Sequence, residues 1–330
     1  MEIILTIAVP TYNIENYISR CIQSFMSVNS IYYNDFEILI INDGSKDNSV
    51  NVVEELKKES NLNIRIINKE NGGHGSAVNR GISEAKGKYF KVIDGDDWIN
   101  KHDFEEFLQR LKHAESDLIV TNYTEQHTYN GNKVKINVLN KMDGFKSTEL
   151  TNIFPMHGIT YRTKLLHENQ IRLTEKIFYV DTQYAIFPMK YVKTWEYWNL
   201  DIYQYFLGRP DQSMSLDSRL KNIDHHKIVM ESIIEFYKEL DENEFKRTLE
   251  NVVRDLINTR YLLAFLSDNS SDLLKETTKY VEENKIDYKF RSDNRTSYLI
   301  YFNEKHNRKF SKIINPIVKY KINSLKKRGI

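Results

Sequence analysis

Three carboxylates, Asp94, Asp96 and Asp97, fall within four residues directly after the apolar run Tyr89 to Ile93. Such a cluster repels itself unless a cation neutralises it. Hard divalent ions take oxygen ligands, and Mg²⁺ or Mn²⁺ is held by one or two carboxylates together with substrate phosphates. The chemistry open to the cluster is therefore to hold a diphosphate and stabilise its charge on departure. The structural alternative is an Asp-rich turn capping a helix that begins near Lys101. An EF-hand is disfavoured, because no Glu stands at the required end of the loop. Polar, turn-forming groups also follow two other apolar runs: Pro10-Thr11-Tyr12-Asn13 after Ile3 to Val9, and Asn42-Asp43-Gly44-Ser45 after Phe36 to Ile41.

The elements that must position these groups alternate in type. Between the first two runs lies a helical stretch with Ile18, Ile22, Phe25 and Met26 on one face. Asp47 or Asn48 is placed to cap a second helix carrying Val53 and Leu56, and Ile64 to Ile67 reads as a third strand. The glycine-rich loop Asn71-Gly72-Gly73-His74-Gly75 precedes a helix over Ser76 to Ala85, and Tyr89 to Ile93 is the fourth strand. Strands alternating with helices predict an α/β fold, a Rossmann-like and mostly parallel central sheet with helices on both faces. Ligands on such sheets sit at the carboxyl ends of the strands, where the three polar groups are. From Ser116 to Val138 the pattern is β-like, with a hairpin signal at Asn130-Gly131. Phe178 to Tyr191 reads as helical and Trp195 to Phe206 as a strand. After Gly208 the character changes to amphipathic helices over Leu220 to Glu283, with Ile228, Ile233, Ile234 and Tyr237 among the apolar positions. The expected organisation is a catalytic unit over 1–215 and a helical C-terminal region over 216–330.

Lys and Arg total 47 against 46 Asp and Glu, a net charge of +1, so nucleic acid is not expected as a partner. Cys21 is the only cysteine, which excludes an intramolecular disulfide and a cysteine-rich metal site. The first residues read as a strand rather than a signal peptide, and no apolar run is long enough to span a bilayer. A cytoplasmic location is the expectation. From Lys305 to Ile330 there are nine Lys or Arg and no Asp or Glu, with Ile314, Ile317, Val318, Ile322 and Leu325 at helical spacing. Two readings stay open for this tail: a basic helix resting on the anionic inner face of the cell membrane, or a terminal helix packing on its own domain or on a second subunit as a homo-oligomer. Pro316 is expected in the first turn of any such helix.

The motifs Val9-Pro10-Thr11-Tyr12-Asn13, Ile41-Asn42-Asp43-Gly44-Ser45, Asn71-Gly72-Gly73 and Val92-Ile93-Asp94-Gly95-Asp96-Asp97-Trp98 resemble, in order and spacing, those of bacterial family 2 glycosyltransferases of the GT-A fold. The resemblance covers roughly residues 3 to 215. It implies an inverting enzyme that moves a sugar from a nucleotide diphosphate, typically a UDP-sugar, to a glycan, teichoic-acid, glycoprotein or lipid-linked acceptor in cell-surface polysaccharide biosynthesis, with Mn²⁺ or Mg²⁺ as cofactor. Other classes weighed against it are a sugar nucleotidyltransferase, which would want a basic glycine-rich loop after the first strand, and an inactive scaffold of the same fold.

By that resemblance, Pro10 and Tyr12 line the nucleoside pocket, Asp43 accepts the base, and Asn71 and Gly73 bring backbone amides toward the nucleotide. Asp96 is the direct metal ligand, Asp94 binds the ribose or the metal, Gly95 sits between them, and Asp97 contacts the donor sugar or supports the metal. Arg209 and Ser213 belong to a loop closing over the diphosphate, and His157 lies near the acceptor. Asp181, where the family has a Glu-Asp pair and this chain has Val180-Asp181, is the catalytic base; its alternative is a helix N-cap. Val78-Asn79 stands where many relatives have Arg-Asn, which removes an arginine contact from that helix.

Overall fold

The computed structural model describes residues 3–127, 130–208, 216–289, 291 and 293–327, with side chains described through residue 321. The chain divides into two compact units, Met1–Gln212 and Ser213–Ile330. The N-terminal unit runs β1 (Leu5–Thr11), α1 (Ile18–Met26), β2 (Phe36–Asn42), α2 (Ser49–Lys58), β3 (Ile64–Asn68), α3 (Gly73–Glu84), β4 (Tyr89–Val92), β5 (Trp98–Ile99) and α4 (Lys101–Leu111). It continues through β6 (Leu118–His127), β7 (Lys133–Ile136), β8 (Phe145–Ser147), β9 (Ile159–Arg162), α5 (Thr163–Glu168), α6 (Asp181–Ile186) and β10 (Trp195–Leu207).

These strands form one sheet in the order β3-β2-β1-β4-β9-β6-β10-β5, with β7 beside β6 and β8 beside β10. The β3-β2-β1-β4 half is parallel throughout, as is the β6–β10 pair. β9 runs antiparallel between β4 and β6 and joins the halves. Alternation along the strands sends side chains to both faces. Leu5, Ile7 and Val9 of β1 and Phe36, Ile38 and Ile40 of β2 pack with α1, α2 and α4. Leu39 and Ile41 face the other way, onto Ala77 of α3. The α1 face is sealed by Phe25, Phe36 and Phe104, with ring centroids 5.5 to 6.2 Å apart. On the opposite face α3 lies close on β1: a Cβ at Gly81 would stand 2.7 Å from Ala8 Cβ.

Several elements differ from the sequence-based expectation in extent. α3 begins at Gly73, inside the glycine-rich loop, because Gly73 takes φ +79° and turns the chain into the helix. The Phe178 to Tyr191 segment is helical only from Asp181, and after Ile186 tightens to a 3₁₀ turn over Phe187–Tyr191. Asn100, not the acidic cluster, caps α4: its side chain accepts from the His102 amide at 3.1 Å. The hairpin at Asn130-Gly131 joins β6 to β7, with Gly131 at φ +71°.

The C-terminal unit is helical: α7 (Leu216–Lys221), α8 (Ile223–Lys238), α9 (Glu244–Leu266), α10 (Ser270–Glu283), α11 (Arg295–Lys305) and α12 (Ser311–Lys327). Tyr261, Tyr288 and Tyr301 pack together at its centre, with centroids 5.2 to 6.0 Å apart. Ile233 and Ile234 are buried as expected, but Ile228 is exposed because it lies on the far side of α8. Pro316 is not in the first turn: α12 starts at Ser311, so the proline sits in the helix interior, where it offers no N–H to the Lys312 carbonyl. Among the described residues no helix is long and apolar enough to cross a membrane.

Candidate active site

The parallel half-sheet brings the ends of β1, β2 and β4 to one edge, and hydrogen bonds lace the loops that follow. Asp43 N–H donates to the Thr11 carbonyl at 2.9 Å, Lys46 N–H to Asn13 Oδ1 at 2.8 Å, and Glu15 N–H to Asp47 Oδ2 at 2.9 Å. Asn13 holds φ +51°, a conformation asparagine tolerates better than most residues. Pro10 is partly buried at the end of β1, whereas Tyr12 is 48% exposed and presents a free aromatic face to the same rim.

Asp43 is buried, and its carboxylate is a hub. It accepts Lys69 Nζ at 2.6 Å, Gly72 N–H at 2.9 Å and Gly73 N–H at 2.7 Å. A buried carboxylate left unpaired would be costly, and these three donors satisfy it. Two amides of the glycine-rich loop are therefore turned onto Asp43 rather than toward open space. Asn71 Nδ2 adds a bond to the Asp43 carbonyl at 2.9 Å. Lys69 had no signal in the sequence beyond its place in the loop.

The acidic turn closes on itself, with Asp97 N–H donating to the Asp94 carbonyl at 2.9 Å, which brings the first and last residues of the turn together. Gly95 sits in a crowded place: a Cβ there would lie 2.4 Å from the tip of Ile14 and 3.1 Å from the Pro10 carbonyl oxygen. Asp97 is 1% exposed; its carboxylate takes the Tyr203 hydroxyl and the Phe206 amide, the latter at 2.7 Å. Both of its oxygens are therefore bonded inward. Burial raises the Asp97 carboxyl well above the usual range, and the charges of Asp96 and Asp94 raise it further. Asp96 is partly exposed, and its carbonyl accepts from Arg20 at 2.9 Å.

His157 lies under this turn. Its ring stacks on Tyr205 at 4.1 Å and meets Tyr203 edge-on at 4.8 Å. Burial lowers its pKa to about 4, so the imidazole is neutral at physiological pH. Its backbone is fixed from below by Lys91, whose Nζ donates to the His157 and Ile159 carbonyls at 2.8 and 3.1 Å. Burial brings Lys91 down to about 7. A lysine inside the apolar run Tyr89 to Ile93 was a legible anomaly of the sequence.

Asp94, Asp97 and His157 each offer a ligand atom within 4.8 Å of the others, the group among the described residues suited to a metal ion. His157 Nδ1 is buried without a hydrogen-bond partner, an orphaned nitrogen beside this group. Carboxylate plus imidazole fits Mn²⁺ better than Mg²⁺, which prefers an all-oxygen shell. The gathered trio contains Asp94 together with Asp97 and His157, and Asp96 stands in the same turn.

Asp94 is tied to His74, the second residue of α3, at 2.9 Å. Burial pulls the His74 imidazole down, but the charge and hydrogen bond of Asp94, with the charges of Asp181 and Asp96, raise it overall. Asn79, from the same helix, clamps the segment ahead of α6: its Nδ2 donates to the Leu173 carbonyl at 2.9 Å and its Oδ1 accepts the Leu173 amide at 2.8 Å. Gly75 allows that approach, since a Cβ there would sit 2.2 Å from the Thr174 carbonyl oxygen. The chain then passes through Lys176 and Tyr179, both at positive φ, to Asp181. Such strained backbone concentrates at functional sites. Asp181 is the first residue of α6, while Val180 holds the cap position and no side-chain cap bond forms. The side chain reaches the surface, yet crowding by protein strips enough water to raise its carboxyl; His74 opposes this and Asp94 adds to it. Arg80 pairs with Glu84 at 2.7 Å along the exposed side of α3, away from these groups. Arg209 and Ser213 lie outside the described residues.

This architecture is the GT-A fold. It is similar to Staphylococcus aureus TarS 1–349 in complex with UDP-GlcNAc, with a TM-score of 0.64 at 18% identity over 93% of each chain. It is also similar to the mannosyltransferase PcManGT of Pyrobaculum calidifontis in complex with GDP-Man and Mn²⁺, with a TM-score of 0.58 at 12% identity over 94% of this chain and 88% of that one. The chain belongs to glycosyl transferase family 2, whose sequence pattern matches residues 6–196. Among curated relatives, glycosyltransferase GlyG of Streptococcus pneumoniae is 31% identical over 133 residues, 40% of this chain and 43% of that protein. The teichoic acid poly(glycerol phosphate) polymerase of Staphylococcus epidermidis is 30% identical over 195 residues, 57% of this chain and 26% of the polymerase. The match to these relatives thus spans less than half of their length.

Proposed function

We propose that the N-terminal unit, Met1–Gln212, is an inverting glycosyltransferase that moves a sugar from a UDP-sugar to a carbohydrate or lipid-linked acceptor in cell-surface polymer synthesis, at the cytoplasmic face of the cell membrane. One observation carries the reading: α3 joins all three acidic centres. Its first residue, Gly73, donates to Asp43, its second, His74, holds Asp94, and Asn79 anchors the segment leading to Asp181. A nucleotide sugar needs a base reader, a diphosphate site and a proton acceptor in that proximity.

In this reading Tyr12 stacks on the base and Asp43 accepts its N–H with its remaining lone pair. Asp94 and Asp96, with Asp97 and His157 behind them, would hold the divalent ion, which would supply positive charge beside the departing diphosphate. Arg209 and Ser213 contact the phosphates. Asp181 takes the proton of the acceptor hydroxyl as its oxygen attacks the anomeric carbon and the bond to the diphosphate breaks, inverting that carbon. A raised pKa makes Asp181 a stronger base than an ordinary carboxylate. The UDP- and GDP-sugar complexes of the two structural neighbours support a nucleotide-sugar donor, and the teichoic-acid relative supports a surface polymer.

The test is a screen of UDP-, GDP- and TDP-sugars with Mn²⁺ by thermal shift, followed by transfer to acceptor glycans with NMR of the product anomer. Stabilisation by UDP-sugars and an inverted product are expected. No response to any nucleotide sugar, or a retained anomer, would overturn the reading.

A further inference from the structure

We infer that α12 is a membrane-docking helix that lies along an anionic lipid bilayer on a face distinct from the one it packs with. Two of its apolar residues, Ile314 and Val318, are buried at 6% and 0% exposure, and α12 packs on α11 within the C-terminal unit. That satisfies the ordinary need of a terminal helix. A second apolar row remains outside: Ile313 is 66% exposed, Ile317 46% and Tyr320 74%, with Phe310, 39% exposed, leading into it. At about 100° per residue, positions 313, 317 and 320 fall within roughly 60° of one another, centred about 110° round the helix from the buried pair 314 and 318. Exposed Lys309, Lys312 and Lys319 flank this row on one side and exposed Lys321 on the other.

A bare apolar stripe alone would fit many partners; the charge decides among them. From Lys305 to Ile330 the chain carries nine Lys or Arg and no carboxylate side chain. A second copy meeting this face would set lysine against lysine, with no acidic residue of the segment to answer it. An anionic bilayer answers both features: its interface takes the apolar row to a shallow depth, and its headgroups take the flanking ammonium groups, whose long stems reach outward. Pro316, exposed on the same helix, removes one backbone donor and is compatible with a helix lying flat at an interface. The inference concerns the helical unit and stands independently of the donor and acceptor of the transfer reaction.

The experiment is co-sedimentation of the full chain with vesicles of phosphatidylglycerol and phosphatidylcholine in equal parts, against vesicles of phosphatidylcholine alone. The protein is expected to pellet with the first and not the second, and to be released by added salt. The double variant Ile313→Asp, Ile317→Asp alters only exposed positions and is expected to lower the bound fraction by about tenfold with an unchanged thermal midpoint. The triple variant Lys312→Gln, Lys319→Gln, Lys321→Gln is expected to weaken binding and flatten its salt dependence. Light scattering of the same samples reports association. Parent protein that stays in the supernatant with both vesicle types overturns the inference. So does a double variant that pellets as well as the parent, or a self-association that the double variant abolishes while vesicles capture nothing.

Discussion

Replacing Asp181 by Asn separates its two candidate roles, because they predict opposite pairs of outcomes. Asn is nearly isosteric and keeps an acceptor oxygen, but it cannot take a proton. A positioned general base contributes roughly 10²- to 10⁴-fold, about 3 to 5 kcal/mol of barrier, and the turnover number should fall by that factor. Affinity for the nucleotide should hold, since Asp43 and the acidic turn are untouched. The stability outcome follows from the raised carboxyl. The folded state binds this proton more tightly than the unfolded chain, so the residue favours the fold at low pH. That contribution is lost as pH rises from the ordinary carboxylate value through the folded pKa. At neutral pH the ionised Asp181 is therefore a cost, and a neutral Asn escapes it. The thermal midpoint of Asp181→Asn at neutral pH should equal or exceed that of the parent, and the two should converge in acid. Were Asp181 only a helix cap, its loss would cost about 0.5–2 kcal/mol, and the midpoint would drop by roughly 2–4 °C per kcal/mol for a unit of this size. The cap position belongs to Val180, and the Asp181 carboxylate itself takes the Thr182 amide, a bond the retained Asn oxygen can keep, so little of that drop is expected. Calorimetry with UDP, a transfer assay and a melting curve over pH, all on one variant, decide the matter. A variant that melts earlier but still transfers at the parental rate refutes the base. The same pKa places the acid limb of the parent's pH–rate profile above the ordinary carboxylate range, with activity rising as Asp181 deprotonates.

Four other outcomes are expected. Asp96→Ala should lose the Mn²⁺-dependent part of UDP binding, and His157→Ala should weaken Mn²⁺ affinity by about 10- to 100-fold, both read by titration calorimetry; metal-independent binding as tight as the parent's would discard the assignment. Tyr203→Phe removes the hydroxyl that holds buried Asp97 and should destabilise the N-terminal unit by about 1–3 kcal/mol, so an unchanged midpoint in thermal denaturation argues that Asp97 finds another partner. Gly75→Ala drives a Cβ into the Thr174 carbonyl and should cost about 1–3 kcal/mol while depressing turnover more than donor affinity, because the displaced segment leads to Asp181; steady-state kinetics with full activity would show that the segment relaxes freely.

Much of this protein was legible in its residue order. Strand–helix alternation and the three polar groups after apolar runs gave the sheet, its ligand edge and the acidic turn, because periodicity and turn chemistry are local properties. The starts of β2 and β4, the Asn130-Gly131 hairpin and the β10 strand needed nothing more. Partners across the fold were not legible. Lys69 on Asp43, Tyr203 on Asp97, Lys91 beneath His157 and Asn79 on Leu173 join residues 26, 106, 66 and 94 positions apart, and nothing local marks such pairs. Nor does a run of lysines and isoleucines say which of its faces is already covered; only packing on α11 separates Ile314 and Val318 from Ile313 and Ile317. The chain order determined which groups could do chemistry and at which edge of the sheet they stand. Tertiary structure decided which carboxylates are bonded inward, which meet His74 and His157, and which keep a lone pair for a ligand, because hydration and charge pairing depend on neighbours distant in sequence and close in space.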